Sequence, residues 1–328
     1  MAGVCMRECE HCSLGREYGC RGCLESGGQP FWGPCQVVAC CHSRGQQNCG
    51  QCPNGPACAT VQAAARCREE WPQKDAERRT DWQRGMAQRA PVLAKWLPVL
   101  FWGLLCARVV NILDQLGITA GLETAVTAVQ ILLGLALLVV YWKLAPLSRR
   151  LRTLWRMELA VQLAGTVLLV GALAVGDRIS VEQMPQDTAL GLAVGAFAIS
   201  LGLVAVGLAV ECLFYGAMAE ELEKSAVPAP PGVFSGVLQS LPQHLADSWR
   251  LLRKCVLGSL GALVGCLILG LLFSGALVGL GILFVLGALA AGVVMVGCMV
   301  AELVMLWKTS CFFRDALRDI PSLPGAEL

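Results

Sequence analysis

The sequence has little of what an ordinary soluble protein displays. Only 15% of its 328 residues are charged, well below the soluble range. Histidine is nearly absent, and only His11 and His42 lie near the cysteines described below. A catalytic zinc site, which commonly uses histidine and keeps one position open, therefore has poor material to build on. No phosphate-cradling loop occurs, and no matched pair of Gly/Pro breaks suggests the discontinuous helices of a secondary transporter. Residues 1–30 contain Glu8, Glu10, Glu17 and several cysteines but no apolar signal core. The N-terminal region is thus not expected to be exported by its own signal. Residues 1–60 are also poor in large apolar side chains, with little beyond Leu14, Tyr18, Leu24, Phe31, Trp32, Val37 and Val38. A segment that small, with so few of them, needs staples to fold.

What is present is apolar sequence and cysteine. Hydrophobic residues make up 55% of the chain and mean hydropathy is +0.59. Apolar runs long enough to cross a hydrocarbon layer recur from Leu97 onward. They predict six spans, at about 94–113, 121–142, 157–176, 188–215, 255–273 and 277–306. The net charge of +2 decides nothing, but its distribution does. Lys143, Arg149, Arg150, Arg152 and Arg156 separate the second and third spans; Lys224, Arg250, Arg253 and Lys254 separate the fourth and fifth. Lys308, Arg314 and Arg318 follow the sixth, whereas the opposite loops hold Arg178 against Asp114, Asp177, Glu182 and Asp187. The positive-inside rule then puts both termini in the cytoplasm of a plasma (inner) membrane protein, consistent with an even number of spans.

The expected fold is an all-α polytopic membrane protein with a small N-terminal cysteine-rich, metal-stapled domain. Its divisions are a cysteine module at 1–67, a charged helical linker at 68–93 interrupted at Pro72, a membrane domain at 94–308 and a cytoplasmic tail at 309–328. Trp82, Trp96 and Trp102 are candidate interfacial anchors. After the breaker at 228–232, Phe234, Val237, Leu238, Leu241, Leu245, Trp249 and Leu252 recur at helical spacing. They predict an amphipathic segment at 234–254, with a helix start at Ser240–Pro242 and Gln243 in the capping-box position. That segment either lies on the membrane surface or packs on the bundle. Glycine pairs at four-residue spacing (Gly191/Gly195, Gly261/Gly265, Gly275/Gly279) permit close helix contact, within one bundle or between copies.

Ionisable residues in or near spans are functional candidates by default. They are Arg108, Glu123, Glu158, Glu211 and Glu302. Arg108, the deepest, is expected to snorkel, to pair with Asp114, or to line a polar path with Glu211 or Glu302; the alternative for the set is internal ion pairs. Cys106, Cys212, Cys255, Cys266, Cys298 and Cys311 read as small hydrophobes.

Twelve of the eighteen cysteines fall within the first 67 residues, in the order Cys5-x3-Cys9-x2-Cys12, Cys20-x2-Cys23, Cys35-x4-Cys40-Cys41, Cys49-x2-Cys52-x5-Cys58, then Cys67. A Cys-x2-Cys turn presents two thiolates on one side of a tight loop, and two such turns complete a four-thiolate site. Gly22 and Gly50 supply backbone freedom in these turns. Cys58 stands at an expected helix start, where the helix N-terminus favours the thiolate. Structural zinc, an iron–sulfur cluster and disulfides are the three chemistries this pattern serves. A cytoplasmic location disfavours disulfides, and zinc would supply folding free energy that the missing core does not.

Residues 5–58 resemble the prokaryotic cysteine-rich domain of unknown function 3795. The resemblance is carried by Cys5/Cys9/Cys12, Cys20-Arg21-Gly22-Cys23, Cys35/Cys40, and Asn48-Cys49-Gly50-Gln51-Cys52 followed by Pro56 and Cys58. It implies a metal-binding module with Cys5, Cys9, Cys12, Cys20, Cys23, Cys35, Cys40, Cys49, Cys52 and Cys58 as ligands. Met6 replaces a usual glycine, the spacer between the first two clusters is short, and Cys41 and Cys67 fall outside the pattern. The expected function is a zinc-binding interaction or sensing head on a membrane bundle, without catalytic residues. The alternatives are a transporter or channel with a metal-binding regulatory head, and an iron–sulfur redox protein. Expected partners are the bilayer and a cytoplasmic protein, with oligomers through small-residue faces and no sign of nucleic-acid binding.

Overall fold

The structure, a computed structural model, describes residues 4, 12–20, 22–23, 25–54, 57–119, 121–176, 186–226, 237–273 and 278–319. Cys5, Cys9, His11, Pro56, Gly275 and the 228–232 breaker lie outside them. The described residues contain helices and no β-strand. Two short helices, α1 (Ser13–Glu17) and α2 (Gln36–Ser43), and a 3-10 turn at Cys49–Gln51 precede six long helices. These are α3 (Ala59–Gln115), α4 (Glu123–Leu144), α5 (Arg149–Gly176), α6 (Gln186–Ser225), α7 (Val237–Phe273) and α8 (Val278–Asp319). Three of them, α3, α4 and α8, are long and apolar enough to cross a membrane.

The chain forms two compact units, Met1–Met86 with Lys224–Gln243, and Ala87–Glu223 with His244–Leu328. In the first, valine and cysteine supply the core: Val4, Val37, Val38 and Val61 are buried with Cys23, Cys35, Cys41 and Cys49. Phe31 is buried beside them, stacked on Tyr18 with ring centroids 5.1 Å apart and edge-on to Trp32. Half of that core cluster is thiol, which is what the scarcity of large apolar residues forces. The charged segment 68–93 belongs to α3, which runs through Pro72 without interruption, contrary to the expected break. Proline removes one i→i−4 bond and crowds the preceding turn, but ion pairs brace the turns on either side. Glu70 meets Lys74 at 2.8 Å, and Asp75, almost fully buried, accepts from Arg78 at 2.8 Å and Arg79 at 2.7 Å. The Arg78 guanidinium also covers the Trp71 ring at 4.9 Å. The indole of Trp82, a candidate interfacial anchor, donates to the Ser225 carbonyl at 3.2 Å.

The second unit buries one set of apolar residues and exposes another. Leu93, Leu97, Leu100, Leu144, Leu151, Leu154, Phe214, Met218, Leu222, Trp249, Leu306 and Phe313 are buried. Leu132, Leu163, Val167, Leu289 and Val293 are 59–73% exposed, a surface suited to hydrocarbon rather than water. Named contacts join these helices around the buried set. Arg89 of α3 meets Glu221 of α6 at 3.7 Å, and Phe101 of α3 meets Trp307 of α8 at 5.3 Å between ring centroids. Tyr141 of α4 packs edge-on against Phe214, and Arg150 of α5 donates to the Gly216 carbonyl of α6. Trp249 of α7 lies 5.5 Å from the Tyr215 ring and donates to the Thr309 hydroxyl of α8 at 3.1 Å.

Helix α7 corrects the expected start at Ser240–Pro242. It begins at Val237 and passes through Pro242 into the fifth expected span. Ser240 is helical instead of capping, and Pro242 is itself buried within the helix. Leu245, Trp249, Leu252 and Val256 are buried on one face. From His244 onward the segment thus turns an apolar face inward within the second unit. The four-spaced glycines are not in tight contact where they are described: an added Cβ meets nothing within 4 Å at Gly195, Gly261 or Gly265. Close approach occurs instead at Gly103 against Leu137 and Gly287 against Cys266, each 2.8 Å from the added Cβ. Replacing Trp249 by Ala removes the largest buried side chain and leaves Thr309 without its donor. Unfolding of the detergent-solubilised protein should show a loss of about 3–5 kcal/mol, with Trp249→Phe retaining most of the packing.

Candidate metal centre

The cysteines of the first unit are positioned by helix starts and tight turns. Cys12 caps α1, its sulfur accepting from the Gly15 N–H at 3.3 Å. Cys20 approaches the same place, since a Cβ on Gly15 would lie 3.6 Å from the Cys12 sulfur and 3.9 Å from the Cys20 Cβ. In Cys20-Arg21-Gly22-Cys23 the Cys20 sulfur accepts from the Gly22 N–H at 3.4 Å. Gly22 holds φ at +92°, a conformation that a side chain would strain.

Cys23 and Cys35 are both buried, and they line a cavity of about 470 Å³ with Gly28, Val38 and His42. Cys35 is the N-cap residue of α2. Hydrogen bonding with Cys23 lowers its pKa to about 6; burial opposes this, and the Val38 and Val37 N–H groups assist. Cys58, immediately before α3, is also lowered, first by the N–H and hydroxyl of Thr60, then by the N–H of Val61 and by Arg44. Helix starts thus hold sulfur at Cys12, Cys35 and Cys58, of which only Cys58 stood out in the sequence.

A second gathering involves a residue outside the family pattern. Cys41 and Cys49 are buried with their sulfurs 3.8 Å apart. Cys49 is fixed by its N–H bond to the Val4 carbonyl at 2.9 Å and by Asn48, whose side chain accepts from Gly50 at 3.0 Å. Burial first, then Cys41, pushes the Cys49 thiol up to about 12, with Cys58 and Cys40 adding to the effect. Arg44 reaches the Cys52 sulfur at 3.9 Å. Cys40 is half-buried, Cys67 is exposed on α3, and His42 is exposed. Sequence matching favoured Cys40 over its neighbour; the burial of alternate turns of α2 is the signal that singles out Cys41.

All sixteen described cysteines are free thiols. Among the described residues no three His, Cys, Asp or Glu side chains gather as one ion would require. Among the described residues two thiol pairs are in contact, Cys23 with Cys35 and Cys41 with Cys49. The donors nevertheless suit a thiophilic ion, and 3.8 Å matches the tetrahedral edge expected for Zn–S bonds of about 2.3 Å.

In the second unit, Arg108 pairs with Glu302, which is buried, and donates to the Met299 carbonyl. Asp114 is not its partner, and accepts instead from Thr119 at 2.9 Å. Glu158 accepts from Gln162 at 3.2 Å, one turn on. Arg108 thus meets Glu302, one of the two distant carboxylates expected beside it. No family model, curated protein or solved structure matches the chain.

In the reduced, metal-free protein, iodoacetamide should alkylate Cys35 through the cavity with a rate that rises through about pH 6. Cys49 should resist to well above the ordinary thiol value of about 8.5. The sign follows for stability: the Cys35 contribution is complete above about pH 8.5 and is lost as pH falls through about 6. Mass-spectrometric mapping of alkylation against pH measures both.

Proposed function

We propose that this is a six-pass plasma-membrane protein whose cytoplasmic cysteine head binds zinc and acts as a sensing or interaction module. The observation that carries the membrane part is the joining of corresponding helix ends in the second unit. Residues 89–101, 141–154, 214–222, 249–256 and 306–313 belong to one side of the bundle if successive helices cross in alternating directions. Contacts among α3, α4, α5, α6, α7 and α8 at those residues support that alternation. Lys143, Arg149, Arg150, Arg152, Arg253, Lys254 and Lys308 flank the same ends, which supports their assignment to the cytoplasm.

The zinc reading rests on the chemistry of the donors and on the resemblance of residues 5–58 to domain of unknown function 3795. Bound zinc would supply folding free energy to a unit whose core is half sulfur. Cys12 lies near Cys20 and Cys23 meets Cys35, while Cys41 lies beside Cys49 with Cys58 and Cys40 close enough to act on it. Helix starts at Cys12, Cys35 and Cys58 favour thiolates ready for an ion, and the pattern's Cys5 and Cys9 remain candidate ligands. We include Cys41 as a ligand beside Cys49. Because α3 begins directly after Cys58 and continues to Gln115, metal binding at Cys58 acts on a helix that also carries a span. Loss of metal would destabilise the head, giving it the switch a sensor needs.

Elemental analysis of the full-length protein, purified reduced and anaerobically, should find about two zinc ions per chain and no iron. Cys41→Ser should lower the zinc content, whereas Cys67→Ser should leave it unchanged. A brown preparation absorbing near 400 nm would replace zinc with an iron–sulfur cluster, and disulfides without metal would sink both. Orientation has its own measurement. A membrane-impermeant thiol reagent should leave Cys67 unmodified in intact cells and modify it after lysis; labelling in intact cells would reverse the topology.

A further inference from the structure

The start of α5 concentrates positive charge where helix electrostatics disfavours it. Arg149, Arg152 and Arg156 are exposed and line a cavity of about 470 Å³ with Pro146, Ser148 and Thr153. Their spacing of three and four residues stacks them on one helix face. No carboxylate among the described residues pairs with any of the three. Arg150, on another face, is already engaged by Glu220 at 3.1 Å and the Gly216 carbonyl. The first turn of α5 contains no acidic residue.

Three like charges on adjacent turns repel one another, and Arg149 and Arg152 sit at the positive end of the helix dipole. The helix start is otherwise well made: the Ser148 hydroxyl accepts from the Leu151 N–H at 3.2 Å, and Leu151 and Leu154 are buried beneath it. The arrangement therefore lacks only an anion. The positive-inside rule explains why arginines lie on this side, but not why three converge on one cavity while Arg150 turns away. At the end of α4, the preceding helix, exposed Trp142 carries Lys143 over its ring at 4.4 Å. A tryptophan with a lysine in that position marks the headgroup level of a bilayer.

We propose that this cavity binds the phosphate of an anionic glycerophospholipid, with Arg149, Arg152 and Arg156 as its donors. Guanidinium groups match phosphate oxygens in bidentate geometry, and the N–H groups of the first turn point toward the same charge. The lipid would neutralise the repulsion and fix the α4–α5 hairpin at the interface. This rests on the membrane reading alone and is independent of metal in the cysteine head.

Native mass spectrometry of the full-length protein, released from nanodiscs of phosphatidylcholine with phosphatidylglycerol, tests it. Wild type should retain phosphatidylglycerol over phosphatidylcholine by roughly a hundredfold at low salt. Arg149→Gln/Arg152→Gln/Arg156→Gln should lose that preference, while Arg314→Gln should keep it. Equal retention by the triple variant overturns the proposal. So does full displacement of the lipid by millimolar inorganic phosphate, which would make this a site for a free anion. Should the triple variant fail to insert, hydrogen exchange on wild type decides. Phosphatidylglycerol should slow exchange at residues 146–156 relative to phosphatidylcholine, and equal exchange overturns the proposal. A chain that does not partition into membranes would defeat the membrane reading itself, whereas a membrane-inserted chain without lipid preference defeats only this inference.

Discussion

Hydrocarbon offers no hydrogen-bond partners, so a chain that enters it must satisfy its backbone internally. The described residues of this chain meet that condition with six helices between 22 and 57 residues long, three of which, α3, α4 and α8, are long and apolar enough to cross a membrane. Their apolar faces need not be buried in protein, and Leu132, Leu163, Val167, Leu289 and Val293 are not. Packing is spent instead near the helix ends, where water would otherwise reach apolar side chains. Trp249 is the centre of that packing. It meets Phe214 and Tyr215 of α6 and its indole N–H is satisfied by Thr309 of α8. A buried indole without such a partner would incur the full cost of an unmet donor.

The first unit solves the opposite problem, a shortage of apolar surface. Valines and thiols share its core, and short helices begin at cysteines in place of the usual Ser, Thr, Asp or Asn caps. A sulfur at a helix start accepts N–H bonds weakly as a thiol and better as a thiolate. The same geometry that serves as a cap therefore prepares a ligand, and the two roles cannot be separated by composition. Cys35 illustrates the balance: Cys23 and the first turn of α2 favour its anion against the cost of burial.

Helix positions were largely legible because long apolar runs carry their own signal. The expected 121–142 span corresponds to Glu123–Leu144, and the expected end at 176 coincides with the end of α5. Prolines misled in both directions of the chain. Pro72 and Pro242 signal breaks locally, yet flanking ion pairs in one case and a buried face in the other carry the helix through. Partners distant in sequence were legible only as a choice. Asp114 lies six residues from Arg108, but the arginine reaches Glu302, 194 positions away, one of the two distant carboxylates the sequence offered. Cys41 was missed because a spacing pattern admits Cys40 first, whereas the inward face of α2 is a property of three dimensions.

Charge shows most clearly what counting leaves out. Between the second and third expected spans every arginine contributes equally to the prediction of topology. The folded chain divides them: Arg150 is consumed by Glu220 and Gly216, while Arg149, Arg152 and Arg156 share a cavity without a carboxylate. A helix start ordinarily recruits acidic residues because exposed N–H groups favour negative charge. An arginine-lined start reverses that preference within the protein and leaves it to be met from outside. Topogenic charge and ligand-binding charge can thus occupy consecutive residues of one turn, distinguished only by whether the protein supplies the counter-charge.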